Sequence, residues 1–151
     1  MVSFASMALS LAFIQPPYYG GGIPNAQPCS GRHLMTGQWV RARHRVEESG
    51  GFWAYANPDY DGHPVIRYSQ AYFRLPRTVQ LFVAHHECGH HERSTSNEFT
   101  ASCYALDMMR PNEWQLREIA YAFAQIPSVG LQYGGGSGSD FWRAVRYRCG
   151  Y

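Results

Sequence analysis

Two histidines and a glutamate form a short motif whose spacing suits a metal ion. His86 and His90 are four residues apart, so on an α-helix both imidazoles lie on one face and can reach the same ion. Glu87 lies between them and can contact a water on that ion without binding the ion itself, which is how a general base is arranged. The motif therefore predicts hydrolysis by a metal-activated water.

Glu98 is the candidate for a third ligand. Catalytic zinc takes three protein ligands and keeps one position for water. Glu98 stands at the start of the next predicted helix, and an antiparallel return brings its carboxylate beside His90. Asp107 lies about 13 Å further along that helix by helical rise, so we expect it at the surface. The sequence thus predicts one zinc ion on His86, His90 and Glu98.

Small residues indicate that the two metal helices pack closely. Gly89 inside the first helix costs about 1 kcal/mol relative to alanine, which indicates that another backbone or side chain approaches there. Ala101, Ser102 and Ala105 lie on the Glu98 side of the second helix and permit this approach. Close packing would place the third ligand.

Other polar residues near the motif have less defined roles. His85 and His91 point away from the ligand face. We expect both to be exposed, and a supporting hydrogen bond to the site is the alternative. No motif identifies a group that stabilises a transition state, for which the open candidates are Tyr104, Tyr133 and Arg143.

Strands and helices must position these residues. Two β-prone runs, at residues 51–56 and 64–69, are separated by a turn-rich segment and predict a hairpin or adjacent strands. Asn112 with Gln115 resembles a capping box, and Asp140 can cap the last helix. Apolar periodicity and helix-ending prolines predict helices at residues 75–92, 98–109, 112–126 and 141–148.

Composition favours a single domain. A chain of 151 residues can bury one hydrophobic core. The formal charge of +2 is small, and the densest basic run, Arg41, Arg43 and Arg45, is expected to be a solvated segment. Because no stripe of Lys or Arg is interleaved with aromatics, no nucleic-acid partner is expected. We predict an α+β fold in which a small β-sheet packs on the motif helix and the Glu98 helix, with further C-terminal helices.

Residues 1–32 are predicted to be a signal-like or flexible leader, and residues 33–151 the folded domain. The run at residues 1–14 is apolar and similar to the central region of a secretory signal, although no positive region precedes it. It is too short to span a bilayer, so no stable membrane insertion is expected. An N-terminal core segment is the alternative. We expect a periplasmic or secreted protein, and a cytoplasmic one as the alternative.

Four cysteines allow two disulfides in an exported protein, in three possible pairings. Cys88 with Cys103 would join the two metal helices, and Cys29 with Cys149 would join the chain ends. Buried free thiols are the alternative. Because Cys88 points away from the ligand face, a disulfide to Cys103 is favoured over a role as metal ligand.

The motif region also carries a family resemblance. Residues 85–91 (HHECGHH) and 97–111 (NEFTASCYALDMMRP) resemble the zincin metallopeptidases whose third ligand is a glutamate. The second segment is similar to the anti-repressor metallopeptidases that cleave phage-type repressors. The motif with its cysteines resembles small, exported bacterial metallopeptidases.

The resemblance implies a minimal zincin-like fold that binds one zinc ion and hydrolyses a peptide or protein. It implies zinc on His86, His90 and Glu98, with Glu87 as the general base. It also implies that the strand nearest the motif helix, at residues 64–69, pairs with the extended substrate along its edge.

Two other functions fit the same residues. A non-catalytic, zinc-stabilised exported domain would close the metal site with a fourth ligand, such as His63 or His91. A metal-free helical scaffold would carry the motif by chance. The sequence leaves the oligomeric state open.

Overall fold

A computed structural model describes residues 22–48 and 52–151 of the chain. Within these residues the protein is α+β, with two small β-sheets followed by four α-helices. This agrees with the predicted fold class. The signal-like run at residues 1–14 lies outside the described residues, and its role stays a prediction.

Short strands come before the helices in the described chain, and their bounds are β1 Ser30–Arg32, β2 Trp39–Arg41, β3 Arg43–Glu47, β4 Ala54–Pro58 and β5 Pro64–Ser69. β1 and β2 pair antiparallel as a separate small sheet. The others form a sheet in the order β3, β5, β4, in which β5 runs parallel to β3 and antiparallel to β4. The pairing of β4 with β5 confirms the predicted adjacent strands. The predicted start of β4 at Gly51 lies outside the described residues.

Arg41 ends strand β2, while Arg43 and Arg45 lie on strand β3, and all three arginines are exposed, as predicted for a solvated segment. Arg43 and Arg45 are exposed on this strand, and each lies near the Asp59 carboxylate, at 3.6 and 2.7 Å. They alternate with the partly buried His44. Alternation lets the backbone pair with β5 while the charged side chains stay in water.

The four helices of the described chain are α1 Arg77–Glu92, α2 Glu98–Met109, α3 Glu113–Ala124 and α4 Gly138–Cys149. α2 has the predicted bounds, and the Asn97 side chain caps its first turn. The predicted capping box of Asn112 and Gln115 is present at α3. α4 begins earlier than predicted because Ser137 is its cap and Asp140 completes the capping box. Among the described residues, no helix is long and apolar enough to cross a membrane.

α1 and α2 pack closely around Gly89. A Cβ built on Gly89 would lie 3.0 Å from both the Cα and the carbonyl oxygen of Ala101. This confirms the predicted close approach. Ala101, Ser102 and Ala105 are fully buried. Because the two backbones come this close, a carboxylate at the start of α2 can reach histidines on α1.

Aromatic rings join α1 to α3 and α4. Phe82 meets Phe123 edge-on at 5.9 Å and Trp142 at 5.5 Å between ring centroids, and Phe123 stacks on Trp142 at 5.6 Å. Edge-to-face and offset-stacked contacts are the favourable arrangements of aromatic pairs. The C-terminal helices are thereby held as a wall beside α1.

Two disulfides are present, and they correct the expected pairing of Cys88 with Cys103. Cys29 pairs with Cys88 and Cys103 pairs with Cys149, with Cα–Cα distances of 5.6 and 5.2 Å. The physical reason is direction: Cys88 lies on the side of α1 that faces the segment before β1, whereas Cys103 lies on the side of α2 that faces α4. Cys29 and β1 precede His33, where the sequence predicts the folded domain to begin. Two such bridges fit an oxidising environment.

Candidate metal centre

Three ligand atoms from α1 and α2 converge on one point. The Nε2 atoms of His86 and His90 are 3.2 Å apart. The Glu98 Oε2 atom lies 3.0 Å from His86 Nε2 and 3.4 Å from His90 Nε2. Ligands held about 2.0–2.1 Å from a tetrahedral zinc ion are about 3.3 Å from one another. The three atoms therefore have the separations that such an ion requires.

The far side of each imidazole is held by a hydrogen bond. His90 Nδ1 lies 2.9 Å from the Thr95 carbonyl oxygen, and His86 Nδ1 lies 3.0 Å from the Ser102 hydroxyl oxygen. A carbonyl oxygen only accepts, so His90 Nδ1 carries the proton, and its neutral ring presents a lone pair on Nε2. Bonds of this kind orient metal-binding histidines. Both rings are thus set to direct Nε2 at the centre.

The connection between α1 and α2 sets where Glu98 stands. The Thr95 backbone N–H donates to the His90 carbonyl at 3.0 Å, which ends α1 in a turn. The Asn97 N–H then donates to the Thr95 hydroxyl at 3.0 Å, and the Asn97 side chain caps α2. Glu98 consequently occupies the first turn of α2, where it is 9% exposed. A short, internally bonded loop therefore positions the carboxylate that is the third candidate ligand.

The electrostatics of the cluster keep Glu98 ionised. Burial by itself raises the pKa of this carboxyl, but hydrogen bonds from His86 and His90 outweigh burial and bring its pKa down to about 2. Burial acts on His90 in the opposite sense, and the Glu98 hydrogen bond and the Glu87 charge raise the pKa of His90 above its ordinary value. In the described part of the chain, the salt-bridge partners of Glu98 are the two histidines alone. The cluster is an anionic carboxylate with two imidazole nitrogens, which suits a divalent cation.

Glu87 lies beside the candidate ligands but is not one of the three residues whose ligand atoms converge. It is buried on α1, and desolvation raises the pKa of its carboxyl, while the charges of His86 and His90 and the backbone N–H of Ala56 on β4 act to lower it. A raised pKa brings a carboxylate closer to the range in which it can accept and return a proton near neutral pH. Position and environment both suit Glu87 to proton transfer.

A cavity of about 240 Å³ opens beside Glu87 and His86. Residues from the start of β4, from α1, from the segment after α3 and from α4 line it, and most of them are aromatic or aliphatic. Tyr133 is among them. The other two candidates for transition-state stabilisation lie elsewhere: Tyr104 lies beneath the Arg93 guanidinium, and the exposed Arg143 pairs with Asp140.

The remaining histidines and acids near the motif have other partners. His63 Nε2 lies 2.9 Å from the Arg41 carbonyl oxygen, and His91 Nε2 lies 3.0 Å from the Val65 carbonyl oxygen. Neither belongs to the cluster of His86, His90 and Glu98 among the described residues. The prediction that His85 and His91 are exposed is wrong, since both are partly buried. Asp107 is exposed, as predicted.

Sequence reasoning missed the two groups that orient the histidines. Ser102 was recognisable only as a small residue, although its place four residues after Glu98 puts it on the same face of α2. Thr95 acts through its backbone carbonyl, which leaves no side-chain signal. A second group, Cys29, Cys88 and Glu92, also brings potential ligand atoms together, but its cysteines are joined in a disulfide.

Comparisons with known proteins add no relatives to this description. No family model matches the chain, and no match is found among curated proteins or among solved structures.

Proposed function

We propose that the protein is a zinc-dependent metallopeptidase that binds one zinc ion on His86, His90 and Glu98. The observation that carries this proposal is the convergence of two Nε2 atoms and one carboxylate oxygen at 3.0–3.4 Å, next to the buried Glu87. Three protein ligands leave one position for water, which is the ligand count of a catalytic zinc site. A site closed by His63 or His91 has less support, because both rings already bond to backbone carbonyls.

A zinc ion held by His86, His90 and Glu98 would supply a lowered pKa for a water and polarisation of the substrate carbonyl. Glu87 takes the proton from the attacking water and passes it to the leaving amine. Its burial favours the protonated form, so the proton can stay on the carboxyl between these two transfers. Ser102 and Thr95 keep the two imidazoles in the ligand orientation throughout.

The substrate edge predicted from the sequence needs correction. β5 lies between β3 and β4, so neither of its edges is open to a peptide. β4 has one unpaired edge within the described sheet. The Ser69 N–H donates to the Trp53 carbonyl and the Asp59 N–H donates to the His63 carbonyl, so this set of alternating residues faces β5. Ala54 and Ala56 direct their backbone groups to the other side, where the Ala56 N–H already meets the Glu87 carboxylate. We propose that an extended substrate backbone binds along this outer edge of β4, because Ala54 also lines the cavity beside Glu87.

The same reasoning extends the coarse fold to a zincin-like arrangement, with the edge of β4 above the motif helix α1 and the third ligand on α2. Two disulfides favour an exported protein, which we propose as its setting.

Zinc content and turnover, measured side by side, test the proposal. The parent chain should bind one zinc ion and cleave a denatured protein substrate. Glu98→Ala should lose zinc and turnover together. Glu87→Gln should keep zinc and lose turnover by about 100-fold or more, because only the proton acceptor is removed. Circular dichroism checks that each variant is folded. Undiminished turnover in the zinc-loaded Glu87→Gln protein contradicts the proposal.

A further inference from the structure

The cavity beside Glu87 has features that say which kind of side chain it accepts. Its volume of about 240 Å³ lies below the range of about 300–1,000 Å³ typical for drug-sized ligands. A space of this size suits a single large side chain better than a whole ligand. His86 and Glu87 line it, so a side chain inserted there would place the adjoining peptide bond near the proposed reaction centre.

The walls of the cavity are mostly apolar. Phe82, Phe123 and Phe141 line it, with Val129 at its side. Among the described lining residues, the ionisable groups other than the Tyr133 phenol are His86 and Glu87. A Lys, Arg, Asp or Glu side chain would lose its hydration there, and the two ionisable groups that it could meet are committed to the proposed zinc ion and to the attacking water, so its burial is costly. An apolar side chain gains from the same burial.

The walls are fixed before any ligand enters. Trp53 meets Phe123 at 5.3 Å, and Phe123 meets Phe141 at 5.4 Å between ring centroids. Tyr133 contacts Phe141 edge-on at 5.3 Å. Each ring of this lining is therefore held by its neighbours, and the cavity needs little rearrangement to bind.

We propose that this cavity binds one large uncharged side chain, aromatic or leucine-sized, of the peptide substrate and so directs cleavage to the bond beside it. This inference rests on the proposed peptidase function for the cleavage step. The binding step rests on the cavity alone.

A matched pair of variants in the segment after α3 tests the proposal. Val129 lines the cavity, whereas Leu131, two residues later, is 91% exposed and is not among its lining residues. Val129→Asp places a carboxylate in the wall, and Leu131→Asp places the same charge nearby in solvent. Val129→Leu, which reduces the space without adding charge, covers the case in which Val129→Asp does not fold.

The cleavage assay uses fluorescence-quenched peptides that differ at a single position, which is Phe, Leu, Ala, Lys or Asp. The parent chain should cleave the Phe and Leu peptides faster than the Lys and Asp peptides by about 10- to 100-fold in kcat/KM. Val129→Asp should reduce this ratio about tenfold by favouring Lys, Val129→Leu should shift preference toward Ala, and Leu131→Asp should behave as the parent. Equal rates for all peptides, or equal effects of the two Asp variants, overturn the inference while leaving the peptidase proposal intact.

A binding assay separates this inference from the function on which it rests. The indole N–H signal of Trp53, which lines the cavity, is followed by NMR while N-acetyl-phenylalanine amide or N-acetyl-lysine amide is added. A shift with the phenylalanine compound alone, weakened by Val129→Asp and not by Leu131→Asp, supports the cavity assignment even if no peptide is cleaved. No shift with either compound overturns it.

Discussion

The candidate metal centre and the three-stranded sheet both gather ionisable side chains, but they differ in what neutralises them. In the sheet network, defined here as Arg43, Arg45 and Arg67 with Glu47, Asp59 and Asp61, permanent cations meet each carboxylate. Asp59, for example, lies 2.7 Å from Arg45 and 3.1 Å from Arg67. At the candidate metal centre, Glu98 meets two histidine rings and no permanent cation among the described residues. The carboxylates of the sheet network are already balanced by arginines, whereas the cluster around Glu98 would gain from an added cation.

Burial alone does not separate the two clusters, because the paired Arg67 and Asp59 side chains of the sheet network are 11% and 7% exposed. The side chains of Arg43 and Arg45 are 41% and 47% exposed, so water solvates part of their charge. The side chains of His86 and Glu98 are 9% and 11% exposed. Burying ionisable groups to this extent is unfavourable without strong partners. A bound divalent ion would supply that partner at the metal centre.

The largest expected effect is on thermal unfolding. Zinc at about a thousand times its dissociation constant would add about 4 kcal/mol to the free energy of unfolding, or about 10 °C in the melting temperature. A chelator should remove this increment from the parent protein and have no effect on Glu98→Ala. Calorimetry with and without chelator makes the measurement. An equal chelator effect on both proteins would break the contrast between the two clusters.

A smaller effect is expected when an orienting hydrogen bond is removed. Ser102→Ala deletes the hydroxyl that lies 3.0 Å from His86 Nδ1. Loss of such a partner weakens zinc binding by about 10- to 100-fold, because the ring orientation and tautomer are no longer held. Thr100→Ala, at an exposed position of the same helix, is the control. Competition with a chromophoric chelator measures the affinities. Identical affinities for the two variants would show that Ser102 only fills space.

The stability of the candidate metal centre should depend on pH through Glu98 and His90. In the zinc-free protein the Glu98 pKa is lowered from 4.5 to about 2, so its contribution to stability is complete above about pH 4.5 and is lost as the pH falls towards 2. The His90 pKa is raised above 6.5, so its contribution is complete below pH 6.5 and is lost as the pH rises through the raised value. Zinc competes with that His90 proton.

Zinc affinity should therefore fall as the pH decreases through the raised His90 pKa, by about tenfold per unit for each proton displaced. The opposite trend is expected for the zinc-free protein, which loses the His90 contribution as the pH rises. Zinc titrations and denaturant unfolding, measured at intervals of about one pH unit between pH 5 and 8, compare the two trends. A flat zinc affinity over this range would exclude His90 as a ligand.

Local signals predicted much of the candidate site. The bounds of α2 follow from Asn97 as a cap and Pro111 as a stop, and the close approach at Gly89 follows from its cost in a helix. Non-local pairings could not be predicted. β3 pairs in parallel with β5, although β4 lies between them in the sequence. This pairing depends on tertiary packing that no local sequence pattern encodes. The partner of Cys88 likewise depends on which neighbour its face of α1 meets.

The smallest effect is expected in the sheet network. Arg45→Ala removes the 2.7 Å salt bridge to Asp59, yet the Arg45 side chain is 47% exposed. Exposed ion pairs contribute about 0.2–1 kcal/mol, and Asp59 keeps its contacts with Arg43 and Arg67. Zinc affinity should stay at the parent value, since the ion pairs of the sheet network share no residue with the candidate zinc ligands. Denaturant unfolding in low and high salt, combined with a zinc titration, tests both parts. A fall in zinc affinity comparable to that of Ser102→Ala would mean that the two clusters are coupled through the sheet and α1, and the contrast between them would no longer hold.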